Sequence, residues 1–238
     1  MFISSTSLIS IVVPTKNRAS YINQFYNRLN SELSNKPCNY EIIFIDDGSN
    51  DYTIEILKNI CKQNSRVKVI KFDKNYGQHN ALFAGLHAAK GEALITIHDD
   101  MQENIIDIDR FISAINNGAD IVCGWRFLRY GVSKPRKILS YLLNFYYSVL
   151  IKIRVHDIGC GLKAFKTNLF NNSNSHLDIL RDFKMHRLKE IKIVSRENIK
   201  STYSLFSLLR LFKNILILPK KNNYSKNLPF VITETFNL

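Results

Sequence analysis

The sequence has no uninterrupted hydrophobic run long enough to cross a lipid bilayer. A spanning helix needs about 18 or more consecutive apolar residues, whereas the two apolar-rich segments, 136–153 and 201–218, both contain lysine and arginine. Residues 1–8 lack a basic stretch followed by a long apolar one, so the sequence predicts no signal peptide. We therefore expect a chain that does not cross a membrane by itself.

Cysteine is scarce, and its spacing argues against a cysteine-based metal site. The four cysteines are Cys38, Cys61, Cys123 and Cys160, and no two of them form a closely spaced pair. Cys123 lies within an apolar run and is predicted to be a core residue. Reduced thiols in a cytosolic protein are the simplest interpretation of this pattern.

Acidic residues are few relative to basic ones. The 238 residues include 33 lysines and arginines but only 20 aspartates and glutamates, which gives a net charge of +13. Such a balance favours an anionic partner: nucleic acid, an anionic membrane surface or a phosphorylated substrate. No dedicated nucleic-acid-binding motif is present, so we expect no nucleic-acid partner. A soluble protein that is basic without such a partner remains the alternative.

Apolar periodicity in the first half predicts an α/β fold. Hydrophobic residues make up 45% of the chain, which argues against disorder. The predicted strands are 9–13 (ending at Pro14), 40–45, 67–72, 93–97 and 120–124, and the predicted helices are 19–33, one through 54–61, 77–89 and 105–117. This alternation indicates a mostly parallel, Rossmann-like sheet with helices on both faces.

The second half has a different pattern. It begins with a long apolar-aromatic helix with a basic start over 136–153, which is followed by a glycine-rich strand and turn over 155–165. An amphipathic helix is predicted over 201–218, and the tail after Lys220 has no clear pattern. Helices with aromatic faces and basic residues can lie in the interface of an anionic leaflet. Packing into the core or into a dimer interface is the alternative, and a homo-oligomer is compatible with either arrangement.

Two carboxylate clusters are the most informative feature of the chain. Asp46-Asp47-Gly48-Ser49 directly follows the strand-like run 40–45, and His98-Asp99-Asp100-Met101-Gln102 follows the run 93–97. Open α/β sheets bind ligands at the carboxyl ends of their parallel strands. Two acidic clusters at this edge indicate a site for a divalent cation and a phosphorylated ligand.

Six strings in a fixed order give a specific resemblance. They are SIVVPTKNRA (10–19), YEIIFIDDGSND (40–51), NYGQHNALFAGLHAAKGEALITIHDDMQ (75–102), ADIVCGWRFLR (119–129), RKILSYLLN (136–144) and HDIGCGLKAF (156–165). Their order resembles the family 2 inverting glycosyltransferases, and within them the dolichyl- and undecaprenyl-phosphate sugar transferases.

The resemblance implies a GT-A fold, a UDP- or GDP-sugar donor, Mg²⁺ or Mn²⁺, and a polyprenyl-phosphate acceptor. It implies a peripheral protein at the cytoplasmic face of the membrane. It also implies a nucleotide-sugar-binding and catalytic domain over 1–166, with 167–238 as a divergent, membrane-proximal region of the same unit.

The same resemblance assigns roles to individual residues. The residues expected to bind the nucleotide-sugar are Pro14, Lys16, Arg18, Ile45, Asp46, Asp47, His98, Asp99 and Arg196. The expected metal ligands are His98, Asp100 and Gln102, and the expected catalytic residues are Asp100, Arg126 and Arg136. The residues expected to bind the acceptor phosphate are Arg126, Arg129, Arg136 and Lys137. Guanidinium groups can hold a phosphate bidentately. Helix capping by Asp46 or Ser49 is the structural alternative for the first cluster.

The sequence departs from the family pattern at two places. His98 stands where the first aspartate of the D-x-D motif is usual, and imidazole is a softer, neutral ligand that favours Mn²⁺ or weakens metal binding. The C-terminal family motif is reduced to residues 196–203, where its glycine is replaced and its lysine position holds Thr202.

These departures keep two further functions open. One is extension of a glycan on a sugar hydroxyl, which requires a carboxylate base; Asp157 is the one obvious candidate after residue 125. The other is a non-catalytic subunit that binds a nucleotide-sugar.

Overall fold

The computed structural model describes residues 7–169, 186–196 and 230–238, which form an α/β fold around one eight-stranded sheet. The strands are β1 (Leu8–Thr15), β2 (Asn39–Asp46), β3 (Val67–Phe72), β4 (Ala93–Thr96), β5 (Ile121–Tyr130), β6 (Lys163–Lys166), β7 (Leu188–Arg196) and β8 (Ile232–Phe236). The α-helices are α1 (Ile22–Ser34), α2 (Thr53–Gln63), α3 (Gln78–Ala88), α4 (Ile108–Asn116) and α5 (Lys134–Ile151). Short 3₁₀ turns cover Ile105–Asp107 and Thr167–Leu169.

The sheet is mostly parallel, and its strand order is β7-β5-β6-β4-β1-β2-β3-β8. β1 pairs in parallel with both β2 and β4, β2 pairs in parallel with β3, and β5 pairs in parallel with β7. β6 is antiparallel to β4 and β5, and β8 is antiparallel to β3. The carboxyl ends of β1, β2 and β4 therefore meet at one edge, which is where the sequence places its acidic clusters.

Helices cover both faces of the sheet, as the strand–helix alternation predicts. Ile11 of β1 packs into a core shared with α1, α2 and α4, whereas its neighbour Val12 faces a second core shared with α3 and with Tyr147 of α5. Successive side chains of a strand point to opposite faces. Continuous apolar runs such as 42–45 therefore supply both cores at once.

Strand ends differ from the sequence prediction where tertiary pairing extends them. β1 continues through Pro14 to Thr15, where it still pairs with β2. β4 pairs with β1 only as far as Val12, so Pro14 needs no backbone N–H to donate to β4. β5 runs to Tyr130 because β7 pairs along its whole length. Arg126 and Arg129 are thus residues of this strand, beyond its predicted end at residue 124.

β8 is an edge strand in the tail for which the sequence showed no clear pattern. Its Glu234 accepts from Lys58 at 2.8 Å and from Lys71 at 2.9 Å, and the side chain of Asn237 donates to the carbonyl of Cys61. The predicted helix over 201–218 lies outside the described residues. Within the described ranges, no helix combines the length and the apolar character that crossing a bilayer requires.

Candidate active site

Asp99 links the carboxyl ends of β4 and β1. Its Oδ2 accepts from the Thr15 hydroxyl at 2.5 Å, and its Oδ1 accepts from Arg18 Nε at 3.1 Å. Burial raises the pKa of Asp99, and the charge and hydrogen bonds of its partners offset only part of this effect. These contacts place two of the predicted donor-site residues, Arg18 and Asp99, together at the strand edge.

Asp47 organises the loop that follows β3. Its Oδ1 accepts from the Tyr76 amide at 2.7 Å, and its Oδ2 accepts from the Gly77 amide at 3.0 Å. Gly48 has a φ of +66°, and a Cβ there would lie 2.4 Å from the carbonyl carbon of Lys74, so only glycine lets the two loops approach this closely. The half-buried Lys16 lies near Asp47, and its charge lowers the pKa of Asp47 against the larger, opposing effect of burial.

Pro14 and Ile45 lie deeper in the sheet than the other predicted donor-site residues. They are register partners in the β1–β2 pair, and both are buried. The side chain of Ile45 packs in the core against α3, where a Cβ on Gly85 would come within 2.5 Å of its Cδ1. The side chain of Ile45 is therefore part of the hydrophobic core beneath the site.

Asp46 has a carboxylate oxygen that the fold does not use. The residue is fully buried; Oδ2 accepts weakly from the Ser49 amide at 3.4 Å, and Oδ1 has no hydrogen-bond partner in the described structure. Burial raises the pKa of Asp46, which means that the folded state disfavours its charged form. An unpaired buried acceptor at the end of β2 is suited to receive an N–H or O–H from a ligand.

We expect the Asp46→Asn substitution to stabilise the fold and to weaken nucleotide binding. The amide keeps the shape of the side chain but removes a buried charge without a counterion, which should raise the free energy of unfolding by about 1 kcal/mol at neutral pH. Urea denaturation and calorimetric titration with UDP and GDP measure the two effects. A destabilised variant, or one with unchanged affinity for both nucleotides, would contradict this interpretation of Asp46.

His98, Asp100 and Glu103 form a cluster that could hold a metal ion. One potential ligand atom from each lies within 4.8 Å of the other two. The Asp100 carboxylate also accepts from the Gln102 amide at 3.1 Å, and Met101 has a φ of +54°, so the segment turns tightly. The structure thus brings His98 and Asp100 together as the sequence predicts and adds Glu103.

Glu103 was missed from the sequence because the resemblance ended at Gln102. Its side chain is almost completely buried; Oε1 accepts from the Gly161 amide at 3.2 Å, and Oε2 has no partner in the described structure. The carbonyl of Gln102 accepts from the Arg196 amide at 3.1 Å, which places the end of β7 beside this turn. A third acidic residue three positions after Asp100 was the available signal. One imidazole and two carboxylates fit a divalent cation such as Mn²⁺ or Mg²⁺.

Arg126 and Asp157 form a buried, bidentate ion pair. Arg126 Nε donates to Oδ2 at 2.7 Å and Nη2 donates to Oδ1 at 2.8 Å, and the Arg126 amide also bonds Oδ2. Burial alone would raise the pKa of Asp157, but the charge and hydrogen bonds of Arg126 outweigh it and hold this pKa below its ordinary value. The pair therefore remains ionised, and Asp157 is a poor general base.

Two more arginines lie beside this pair. Arg129 Nη1 donates to the Ser140 hydroxyl at 3.1 Å, and its buried Nε has no partner in the described structure. Burial, followed by the charges of Arg126 and Arg136, lowers the pKa of Arg129. Lys137 is exposed in the first turn of α5. Asp157 pairs with Arg126, and the positive charges of Arg129 and Arg136 lie beside this pair, which suits the binding of an anion.

The loop 156–162 connects the metal-type cluster to the arginines. Its Asp157 binds Arg126, whereas its Gly161 donates to Glu103 and accepts from the Thr96 hydroxyl at 2.7 Å. The buried Lys163 donates to the carbonyl of Cys160. One glycine-rich loop therefore fixes the position of both halves of the site.

Comparison with known proteins gives a family model and named relatives. The model described as "Glycosyl transferase family 2" matches residues 10–173. An undecaprenyl-phosphate 4-deoxy-4-formamido-L-arabinose transferase of Aeromonas hydrophila is 28% identical over 88% of this chain and 67% of its own length. A dodecaprenyl-phosphate galacturonate synthase of Rhizobium johnstonii is 28% identical over 68% of this chain and 48% of its own length. The chain thus spans between about half and two thirds of these relatives.

Solved structures show the same fold at low sequence identity. The glucosyl-3-phosphoglycerate synthase of Mycobacterium tuberculosis, in complex with Mn²⁺, uridine diphosphate and glucosyl-3-phosphoglycerate, superposes with a TM-score of 0.68. It is 17% identical, and the match covers 95% of this chain and 86% of that one. At this identity the likeness shows the GT-A architecture alone.

Proposed function

Because the chain belongs to glycosyl transferase family 2, we propose that it moves a sugar from a UDP- or GDP-sugar to a polyprenyl phosphate at the cytoplasmic face of a membrane. The observation that carries this proposal is that one loop, 156–162, binds both a metal-type cluster and an arginine cluster and so holds them side by side. Two phosphorylated substrates need such a pair of sites. The names of the polyprenyl-phosphate relatives support the acceptor class.

The donor would bind along the carboxyl ends of β1, β2 and β4. The free oxygen of Asp46 is suited to accept from a base N–H or a ribose hydroxyl, and the loop that Asp47 holds borders the same position. His98 and Asp100, with a third ligand from Gln102 (as the resemblance implies) or from Glu103, would hold Mg²⁺ or Mn²⁺, which when bound neutralises charge on a departing nucleoside diphosphate. Arg18 fixes Asp99 beneath these ligands and keeps the turn in place.

The acceptor needs charge stabilisation more than it needs a base. A phosphate monoester has a second pKa near 6, so it is already nucleophilic at neutral pH. Arg129 and Arg136, with the Nη1 group of Arg126 that Asp157 does not use, would hold its oxygens, and Lys137 would add charge at the rim. The catalytic contribution of the chain is then to position two anions in line despite their repulsion.

Helix α5 offers a surface for an anionic membrane. Five large side chains at helical spacing form an exposed apolar stripe. They are Ile138, Tyr141, Leu142, Phe145 and Val149, each more than half exposed. Lys134, Arg136 and Lys137 stand at the start of this helix, and Lys152 follows its end. An apolar stripe between basic residues matches an interface with anionic headgroups.

We expect the protein to sediment with vesicles of phosphatidylglycerol and phosphatidylethanolamine, and to do so less at high salt. Leu142→Ser with Phe145→Ser should lower the bound fraction at least about fivefold, because the substitutions remove apolar area that enters the interface. Tyr52→Ser, an exposed aromatic residue before α2, is the matched control. Equal binding of the double variant and the control would exclude α5 as the membrane surface.

A direct transfer assay tests the proposed function. The purified protein is incubated with undecaprenyl phosphate, a panel of UDP- and GDP-sugars, and Mn²⁺ or Mg²⁺, and glycolipid is detected by mass spectrometry. A glycosyl-phosphate lipid establishes the reaction and identifies the donor. Donor binding without a lipid product would exclude the lipid acceptor and leave a sugar-hydroxyl acceptor or a binding subunit. The engagement of Asp157 by Arg126 argues against the hydroxyl acceptor, because that reaction lacks its candidate base.

A further inference from the structure

We infer that Glu103 is a metal ligand that replaces the carboxylate lost at His98, and that the resulting set of His98, Asp100 and Glu103 selects Mn²⁺ over Mg²⁺. The inference rests on the proposed function for its biological setting. Its evidence is local to the cluster. No residue pattern assigned Glu103 a role, and the sequence resemblance placed the third ligand at Gln102.

Glu103 combines proximity to the other two ligands with a buried carboxylate oxygen that the fold leaves without a hydrogen bond. One of its carboxylate oxygens lies within 4.8 Å of a ring nitrogen of His98 and a carboxylate oxygen of Asp100. Gly161 holds Oε1 at 3.2 Å and so orients the group, whereas Oε2 has no partner in the described structure. A buried carboxylate oxygen without a hydrogen-bond donor is costly, and a bound cation is a physical reason for retaining it.

His98 is held in place for the same purpose. A Cβ on Gly161 would lie 2.4 Å from His98 Nδ1, so the imidazole packs directly on the backbone of the loop that also binds Glu103. The side-chain amide of Gln78 contacts His98 Nε2 from the start of α3. These contacts limit rotation of the ring, which preorganises it as a ligand.

Charge and donor type give the selectivity. Because imidazole is a neutral ligand, His98 and Asp100 would supply one negative charge, and Glu103 supplies the second that a pair of aspartates would give. Imidazole is a better ligand for Mn²⁺ than for Mg²⁺, which prefers oxygen ligands and its own waters. We therefore expect the chain to bind Mn²⁺ more tightly than Mg²⁺ before any substrate is bound.

Metal titration of the purified full chain tests the inference without sugar or lipid. Free Mn²⁺ is measured by its electron paramagnetic resonance signal, and Mg²⁺ is measured by competition. We expect Glu103→Gln to weaken Mn²⁺ binding at least about tenfold, because the amide keeps the bond to Gly161 but loses the charge. Gln102→Ala should change the affinity less than about threefold, and Asp109→Asn, on the exposed face of α4, should not change it.

Each result decides for or against Glu103. Wild-type affinity in Glu103→Gln, or an equal loss in Gln102→Ala, would overturn the assignment. Thermal unfolding without metal shows whether each variant is folded. If Glu103→Gln does not fold, the His98→Asp variant tests the ligand set instead. Its ratio of Mn²⁺ affinity to Mg²⁺ affinity should be about tenfold lower than that of the wild type. An unchanged ratio would refute the proposed ligand set. Mn²⁺ binding through Glu103 without sugar transfer would refute the proposed function and leave this inference standing.

Discussion

Replacing Asp100 with asparagine is expected to lower kcat at least about 10³-fold, which corresponds to about 4 kcal/mol of transition-state stabilisation. Asp100 is half-buried, and the described structure gives its carboxylate one hydrogen bond, from the Gln102 amide in the same turn. An asparagine oxygen can accept that bond. The substitution therefore removes a negative charge from the cluster while it keeps the local structure.

The measurement is steady-state transfer to undecaprenyl phosphate at saturating donor and metal. Asp109→Asn is the matched control, since it makes the same chemical change on an exposed carboxylate that pairs with Lys36 at 2.6 Å. The control should retain activity within about twofold, because exposed ion pairs contribute little. More than one tenth of wild-type activity in Asp100→Asn would remove this residue from the catalytic set.

The first half of the fold could be predicted because its signals are local. Each parallel strand between 9 and 97 is a short segment rich in apolar residues, and the helices between them repeat apolar residues every three or four positions. β3 is predicted at Val67–Phe72 and observed at the same residues. The extension of β5 and the existence of β8 could not be predicted, because both depend on pairing with strands far away in sequence.

The candidate site divides in the same way. His98 and Asp100 are two residues apart, so a strand end followed by a turn brings them together without further information. The partner of Glu103 is Gly161, which is 58 positions away, and the partner of Arg126 is Asp157, which is 31 positions away. The family resemblance assigns Arg126 to a phosphate, but only the folded loop shows that most of its donors already bind a carboxylate.

The buried pair of Arg126 and Asp157 gives the second large prediction: Asp157→Ala should lower the free energy of unfolding by about 3–5 kcal/mol. The substitution leaves a guanidinium without its counterion in a position where its side chain is only 10% exposed. Urea denaturation measures the change. Glu234→Ala is the control, because this carboxylate also bridges two lysines but is 37% exposed, and its loss should cost far less stability than the loss of Asp157.

The pH dependence separates this electrostatic loss from a packing defect. Arg126 holds the pKa of Asp157 below the ordinary 3.8, so the folded state binds fewer protons than the unfolded state in acid. The stabilisation by Asp157 is therefore complete above the unfolded pKa and is lost as the pH falls through the folded one. The difference between wild type and Asp157→Ala should be constant from pH 6 to 8 and should shrink below about pH 4. A difference that persists unchanged in acid would show that the cost arises from the cavity, and that Arg126 does not depend on Asp157 for its charge balance.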